Sequence, residues 1–276
     1  MDQLRQSQPS RSTEKVIGKF SLLATALLAA LLNVSVAAEV NYQLDLAQVK
    51  QQQAEITMRL TNVEKGPVTI VMASASPGRY ARHDFAKNIF DLRAFDAEAK
   101  PLQLTRTSAA TWQVVADSKD IVVKYRLFAD HADGTYSQID RRHAHLNIPA
   151  TFMFAPAFSA EPVNLSIVNK PQQWRVASQL AQVQGQWRAK NLDDFMDSPL
   201  EISEHQLLSF TQASHGNNYQ INIALHHQGT VAQGEHLKTL VQAFVKEQQA
   251  IFGELPDYAG KQYTFLADYL PAVASD

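Results

Sequence analysis

The segment VNYQLDLAQVKQQQAEITMRL, residues 40–60, contains the alternation that decides the fold. Tyr42, Leu44 and Leu46 alternate with polar neighbours, and the same alternation returns from Ile56 to Leu60. Successive side chains on a β-strand point to opposite faces, so this period of two predicts strands with one buried face. The segment therefore predicts a sheet that covers a hydrophobic core.

Similar short runs continue along the next hundred residues, without a long helical pattern between them. Turn signals such as Lys65-Gly66-Pro67 separate the runs. The predicted strands are Val68–Met72, Ile89–Phe95, Trp112–Val115, Ile121–Phe128 and Val163–Ile167. Many short strands with frequent turns are typical of an antiparallel β-sandwich-like domain.

The pattern changes towards the carboxyl end of the chain. Apolar residues recur at helical spacing up to Phe252, and Gly253 is a helix stop signal. The other predicted elements are a strand pair at Leu207–Phe210 and Tyr219–Leu225, the helix Glu235–Phe252 and a final strand Tyr263–Leu266. The predicted fold is thus mainly β: a sandwich-like domain followed by a small α+β fragment with a strand pair, one amphipathic helix and one strand.

The amino-terminal residues 1–38 have the pattern of a signal peptide. Basic residues between Arg11 and Lys19 precede the apolar run FSLLATALLAALL, residues 20–32, and small residues end at Ala38. We expect cleavage after Ala38 and a periplasmic or secreted protein. The alternative is an uncleaved membrane anchor, but the apolar run is shorter than the ~20 residues of a spanning helix.

Composition excludes several classes of function. The 276 residues are 45% hydrophobic and 19% charged, as in an ordinary globular protein, and the net charge of -2 predicts no nucleic-acid partner. The chain has no cysteine, which excludes disulfides, thiol catalysis and thiolate metal sites.

The histidines offer one pair that could bind a metal ion. None of the nine histidines begins an HExxH motif, and no GxSxG nucleophile motif is present. His143 and His145 are two residues apart on a predicted strand, so they would share a face. No Asp or Glu lies within residues 141–151 to complete a ligand set, and such pairs are more often packed or hydrogen-bonded. The sequence therefore predicts no catalytic residue and no cofactor, with His143 and His145 as the remaining metal candidates.

The segment SPGRYARHDFAKN, residues 76–88, concentrates polar side chains behind a Pro-Gly turn. Taken by itself it is either an exposed functional loop or a structural corner.

Several segments in order resemble the glycyl-aminopeptidase family of zinc metallopeptidases, which belongs to the thermolysin-like clan and contains a PDZ domain. They are SPGRYARHDFAKN with IFDLRAFD (76–96), DGTYSQIDRRHAHLNIPATFMFA (133–155), KPQQWRVASQL (170–180), DDFMDSPLEIS (193–203) and FGELPDYAGKQYTFLADYLP (252–271). The resemblance implies a β-rich amino-terminal peptidase domain at residues 39–200. It also implies that residues 201–276 are the partial start of the catalytic domain.

The resemblance also implies what the chain lacks. In the family, a Met-Glu-His segment, the HExxH helix and a distal glutamate come next, and no position here matches them. We therefore interpret the chain as truncated before the zinc site and inactive alone, with zinc expected only in the full-length family. Arg79, Tyr80, His83 and Asp84 are the candidates for an interface or the substrate side of the cleft.

The expected partners follow from this interpretation. They are a separately encoded catalytic domain or a peptide substrate, and we also expect self-association through the exposed helix face. The rival hypothesis is a stand-alone periplasmic binding or interaction module of the β-sandwich type.

Overall fold

Strands dominate the structure, a computed structural model that describes residues 38–131 and 133–271. The predicted signal peptide lies outside the described residues except for Ala38. The strands are β1 (Val40–Asp45), β2 (Gln53–Leu60), β3 (Gly66–Val71), β4 (Ile89–Phe95), β5 (Pro101–Leu102), β6 (Leu104–Ser108), β7 (Thr111–Ala116), β8 (Ile121–Phe128), β9 (Gln138–Ile139), β10 (His143–Leu146), β11 (Val163–Val168), β12 (Arg175–Ser178), β13 (Ala181–Val183), β14 (Gln186–Ala189), β15 (Leu200–Ser203), β16 (Gln206–Ser214), β17 (Asn217–His227) and β18 (Gln262–Tyr269).

Helices are few in the described ranges. The α-helices are α1 (Ile148–Thr151), α2 (Leu192–Met196) and α3 (Val231–Phe252), and single 3₁₀ turns lie at Val49–Gln51, Phe85–Asn88, Pro156–Phe158 and Ala259–Lys261. Each helix in this part of the chain is too short or too polar to cross a membrane. The mainly β class predicted from the alternating runs is confirmed.

An eight-stranded sheet in the order β13-β14-β11-β1-β2-β8-β4-β5 forms the main layer. The predicted alternation decides which face is buried: Tyr42 and Leu44 on β1 and Ile56 on β2 are at most 3% exposed. β1 pairs antiparallel with β2 but parallel with β11, in the register Val40 to Val163. The parallel pair arises because a long connection, not a hairpin, brings β11 beside β1.

Two smaller sheets close the first core. They have the strand orders β3-β7-β6 and β12-β15-β10-β9, and their inward side chains join those of the main sheet in one hydrophobic cluster. Two buried tyrosines hold the segment after β10 in this core: Tyr42 donates its hydroxyl to the Met153 carbonyl at 2.7 Å, and Tyr125 donates to the Thr151 carbonyl at 2.9 Å. Burial raises the pKa of both phenols.

The carboxyl-terminal part is an α+β unit with its own core. β16 and β17 form the predicted hairpin, and α3 connects β17 to the parallel strand β18. α3 begins at Val231, four residues before the predicted start, because Thr230 and Gln233 form a capping box. It ends as predicted at Gly253, whose φ of 83° is the left-handed conformation that favours glycine.

The two cores divide between Ile202, the last residue of the first, and Leu208, the first of the second. Gln179 links them, because its side-chain amide bonds to the backbone of β18 at Gln262 and Thr264. The domain boundary near residue 200 stays a prediction.

Candidate functional site

A cluster of three histidines and two carboxylates lies where the two cores meet. His143, His145, Glu201, His226 and Asp268 form this His–carboxylate cluster. The β10–β15 pairing sets His145 opposite Glu201, and the β17–β18 pairing sets His226 opposite Asp268. His143 and His145 share a face of β10 because they are two residues apart. Four strands from both cores therefore contribute side chains to one point.

The cluster has an inner and an outer set of contacts. On the inner side, Glu201 Oε1 lies 3.5 Å from His143 Nδ1 and 3.4 Å from His226 Nδ1. Asp268 Oδ1 lies 3.8 Å and 3.2 Å from the same two nitrogens. On the outer side, His145 Nδ1 lies 3.2 Å from Glu201 Oε2 and 3.0 Å from Asp268 Oδ2. In each carboxylate, one oxygen thus faces His143 and His226, and the other oxygen faces His145.

The electrostatics keep the two carboxylates ionised. Burial by itself raises the pKa of Glu201 and of Asp268, but the neighbouring imidazoles outweigh it, and both pKa values lie below their ordinary range. Burial by itself lowers the pKa of His145, but the hydrogen bonds that it donates to Asp268 and Glu201 raise it to about 10. His145 is therefore protonated at neutral pH and neutralises one of the two negative charges.

Four buried atoms of the inner set have no hydrogen-bond partner. They are His143 Nδ1, His226 Nδ1, Glu201 Oε1 and Asp268 Oδ1. Each of the four atoms is itself buried, so bulk water does not cover it from outside. Buried polar atoms without partners are rare in folded proteins, and each calls for a physical explanation.

A small cavity connects the cluster with the surface. Its volume is about 160 Å³, and Gln138, His143, His145, Leu266 and Asp268 are among the residues that line it. The cavity thus reaches three members of the cluster, His143, His145 and Asp268, whereas Glu201 and His226 do not line it.

A fourth histidine lies near the cluster but is held differently. His205 is 2% exposed, and its Nδ1 lies 3.2 Å from the hydroxyl of Ser203. Burial, reinforced by the positive charge of Arg175, lowers the pKa of His205 to about 4. This imidazole is neutral at physiological pH.

Sequence reasoning found only part of this cluster. It identified His143 and His145 but found no carboxylate nearby, because Glu201 and Asp268 are 56 and 123 residues away from His145. One signal was available: Glu201 lies between Leu200 and Ile202, and Asp268 follows Leu266 and Ala267. A charged side chain among apolar strand residues needs a partner when it is buried.

The residues predicted for the cleft lie elsewhere. Arg79, Tyr80 and Asp84 are exposed, whereas His83 is half-buried and stacks on Phe85 with ring centroids 5.3 Å apart. None of the four belongs to the His–carboxylate cluster. The structure gives no test of their proposed role, which stays a prediction.

A groove runs beside that loop. Its volume is about 360 Å³, and Ser76, Pro77, Asn147, Tyr263 and Thr264 are among its lining residues. One wall therefore belongs to the β domain and the other to β18.

The outer face of α3 is apolar and uncovered in the described structure. One face of the helix packs on the sheet through Val245, which is 5% exposed. On other faces Leu240, Phe244, Ile251 and Phe252 are 53–74% exposed. Phe244 and Phe252 also line an apolar cavity of about 580 Å³ together with Leu255 and Phe265.

Comparison with known proteins supports a peptidase relationship. The sequence profile described as the Peptidase M61 N-terminal domain matches residues 41–204. A search of curated protein sequences gave no significant match. Among solved structures, an aminopeptidase N family protein from Idiomarina loihiensis matches with a TM-score of 0.70 and 19% identity over 83% of this chain and 39% of its own.

A second solved structure is more distant. It is an M1 zinc metallopeptidase from Deinococcus radiodurans, with a TM-score of 0.43 and 10% identity over 83% of this chain and 55% of its own. The chain thus spans well under two thirds of the length of either protein, and the likeness of fold rests on the first. The predicted resemblance to the amino-terminal domain of an aminopeptidase is confirmed, and the profile match over residues 41–204 shows that the chain belongs to the Peptidase M61 N-terminal domain family.

Proposed function

We propose that this chain is the non-catalytic supporting part of an exported aminopeptidase, in which the β domain shapes one wall of the substrate cleft. The observation that carries the proposal is the family match over residues 41–204, which covers the β domain. The groove between Pro77 and β18 supports it, since a cleft at the junction of two folded parts is a common place for ligands. Arg79, Tyr80, His83 and Asp84 would extend that wall.

The uncovered face of α3 indicates where a catalytic domain would pack. Large exposed apolar surfaces on soluble proteins usually mark interaction sites. Phe244, Ile251 and Phe252 lie on one helix and would bury a substantial apolar area against a partner. A separately encoded metallopeptidase domain, or a second copy of this chain, would cover them.

Peptidase activity requires groups that these 276 residues do not contain. No HExxH motif is present, and the His–carboxylate cluster draws its residues from four strands, not from one helix. We therefore propose that the chain alone hydrolyses no peptide. Export rests on the signal-peptide pattern of residues 1–38.

The alternative is a stand-alone periplasmic binding module of the β-sandwich type. The groove beside Pro77 would then bind a ligand directly. The apolar face of α3 argues against it, because an independent module would expose that face to water without benefit.

An activity assay tests the proposal. The purified chain is incubated with glycyl and alanyl p-nitroanilides, with and without zinc, and then with an HExxH-containing catalytic domain of the same family supplied as a separate chain. We expect release of the amine only on mixing. Phe244→Glu should reduce that activity, whereas the control Val115→Glu, at an exposed site on β7, should not. Zinc-dependent release by the chain alone would overturn the proposal.

A further inference from the structure

We propose that His143, Glu201, His226 and Asp268 form a four-ligand site for one Zn²⁺ ion that ties the two cores together. One atom from each of these residues lies within 4.8 Å of the others. His143 and Glu201 come from the first core, and His226 and Asp268 come from the sheet of the second. An ion at this point would hold four strands of two separate sheets together.

Four of the six ligand–ligand distances lie near those of a tetrahedral site. Zinc bonds to nitrogen and oxygen are about 2.0–2.1 Å, so neighbouring ligand atoms in a tetrahedron lie roughly 3.3–3.4 Å apart. The four nitrogen–oxygen distances are 3.2, 3.4, 3.5 and 3.8 Å. These are too long or too poorly aligned for hydrogen bonds at the inner atoms, which have no partner. A central cation would satisfy all four atoms at once.

The tautomer of His143 supports a cation at the centre. Its Nε2 lies 2.8 Å from the side-chain oxygen Oε1 of Gln138, an acceptor, so Nε2 carries the proton in the neutral ring. The Nδ1 lone pair then points towards two carboxylate oxygens. Lone pairs facing one another repel, unless a cation lies between them.

A second layer of contacts orients the carboxylates. His145 Nδ1 lies within hydrogen-bond distance of the outer oxygens of Glu201 and Asp268, at 3.2 and 3.0 Å. Metal-binding carboxylates are usually held by such outer contacts. The arrangement leaves one oxygen of each carboxylate for the inner site and fixes its direction.

The donor set favours zinc over other common ions. Two imidazoles and two carboxylates suit a four-coordinate zinc ion, whereas calcium takes six to eight oxygen ligands and magnesium keeps several waters. Four protein ligands leave no open position, so the role we infer is structural.

Metal content measured on variants tests the site. The full chain, produced without a polyhistidine tag, is dialysed against a trace of zinc, and the bound metal is measured by inductively coupled plasma mass spectrometry. We expect about one zinc per wild-type chain and less than about a tenth of that for Asp268→Asn and His226→Gln. The matched control is His215→Gln, an exposed histidine 3.4 Å from Glu254, which should keep the full metal content.

A spectroscopic measurement on the wild type does not depend on how the variants fold. Added Co²⁺ should give the intense visible absorption of tetrahedral coordination, and zinc should displace it. The proposal is overturned if the folded wild-type chain binds no stoichiometric metal. It is equally overturned if cobalt is only octahedral, or if the folded ligand variants bind as much zinc as the control.

Discussion

Gln179 provides a sharp test of how the two cores are joined. Its amide nitrogen donates to the Gln262 carbonyl at 2.8 Å, and its oxygen Oε1 accepts from the Thr264 amide at 3.2 Å. The side chain thus imitates a neighbouring strand at the outer edge of β18. Gln179→Ala would remove both bonds without changing a residue of either hydrophobic core.

The expected cost follows from these two bonds. Each hydrogen bond contributes about 1 kcal/mol, so the free energy needed to separate β18 from the β domain should fall by about 2 kcal/mol. The equilibrium constant for this opening should therefore rise roughly 30-fold. Amide hydrogen exchange measures this directly: Thr264 should exchange at least ~10-fold faster in the variant. The amide of Val123, inside β8, is the internal control and should be unaffected when exchange occurs by local opening.

Two outcomes would refute this reasoning. An unchanged exchange rate at Thr264 would mean that Gln179 does not hold β18. A uniform increase at Thr264 and Val123 would mean that the substitution weakens the whole fold instead of the junction. Gln179→Glu should have a smaller effect than Gln179→Ala, because it keeps the acceptor for the Thr264 amide and loses only the donor to the Gln262 carbonyl.

Three further predictions concern other parts of the chain. The pKa of His205 is 6.5 in the unfolded chain and about 4 in the folded chain, so between these pH values only the unfolded chain binds the proton. The free energy of unfolding therefore decreases as the pH is lowered from about 6.5 to about 4. When urea unfolding is measured from pH 7 to pH 4, wild type should lose up to about 3 kcal/mol more stability than His205→Gln. If the stabilities of the two proteins change in parallel with pH, the prediction is wrong. Tyr125→Phe leaves the Thr151 carbonyl and the Met153 amide without their 2.9 Å partner and should cost about 1–3 kcal/mol in urea, whereas a loss near zero would mean that water replaces the hydroxyl. Phe244→Glu should abolish the self-association that we expect of wild type in light scattering, and a monomeric wild type would refute the expectation.

The fold followed from patterns that are local in the chain. Ile121–Phe128 and Ile89–Phe95 were predicted with the bounds that the structure has, because period-two alternation and turn residues act within a few positions. The same holds for the end of α3 at Gly253, where a left-handed residue terminates the helix. The parallel pairing of β1 with β11 was not predicted, since no local signal tells a strand which distant partner it will meet.

The sequence by itself determined the mainly β class, the helix near the carboxyl end, the family and the absence of a peptidase zinc motif, because each depends on residues close together in the chain. Tertiary structure alone decided the His–carboxylate cluster. Its members come from residue 143 to residue 268 and meet only when β10, β15, β17 and β18 are assembled. Because the residues lie on four separate strands, no motif with a fixed spacing reveals them in the sequence. Their geometry exists only once the two cores pack together.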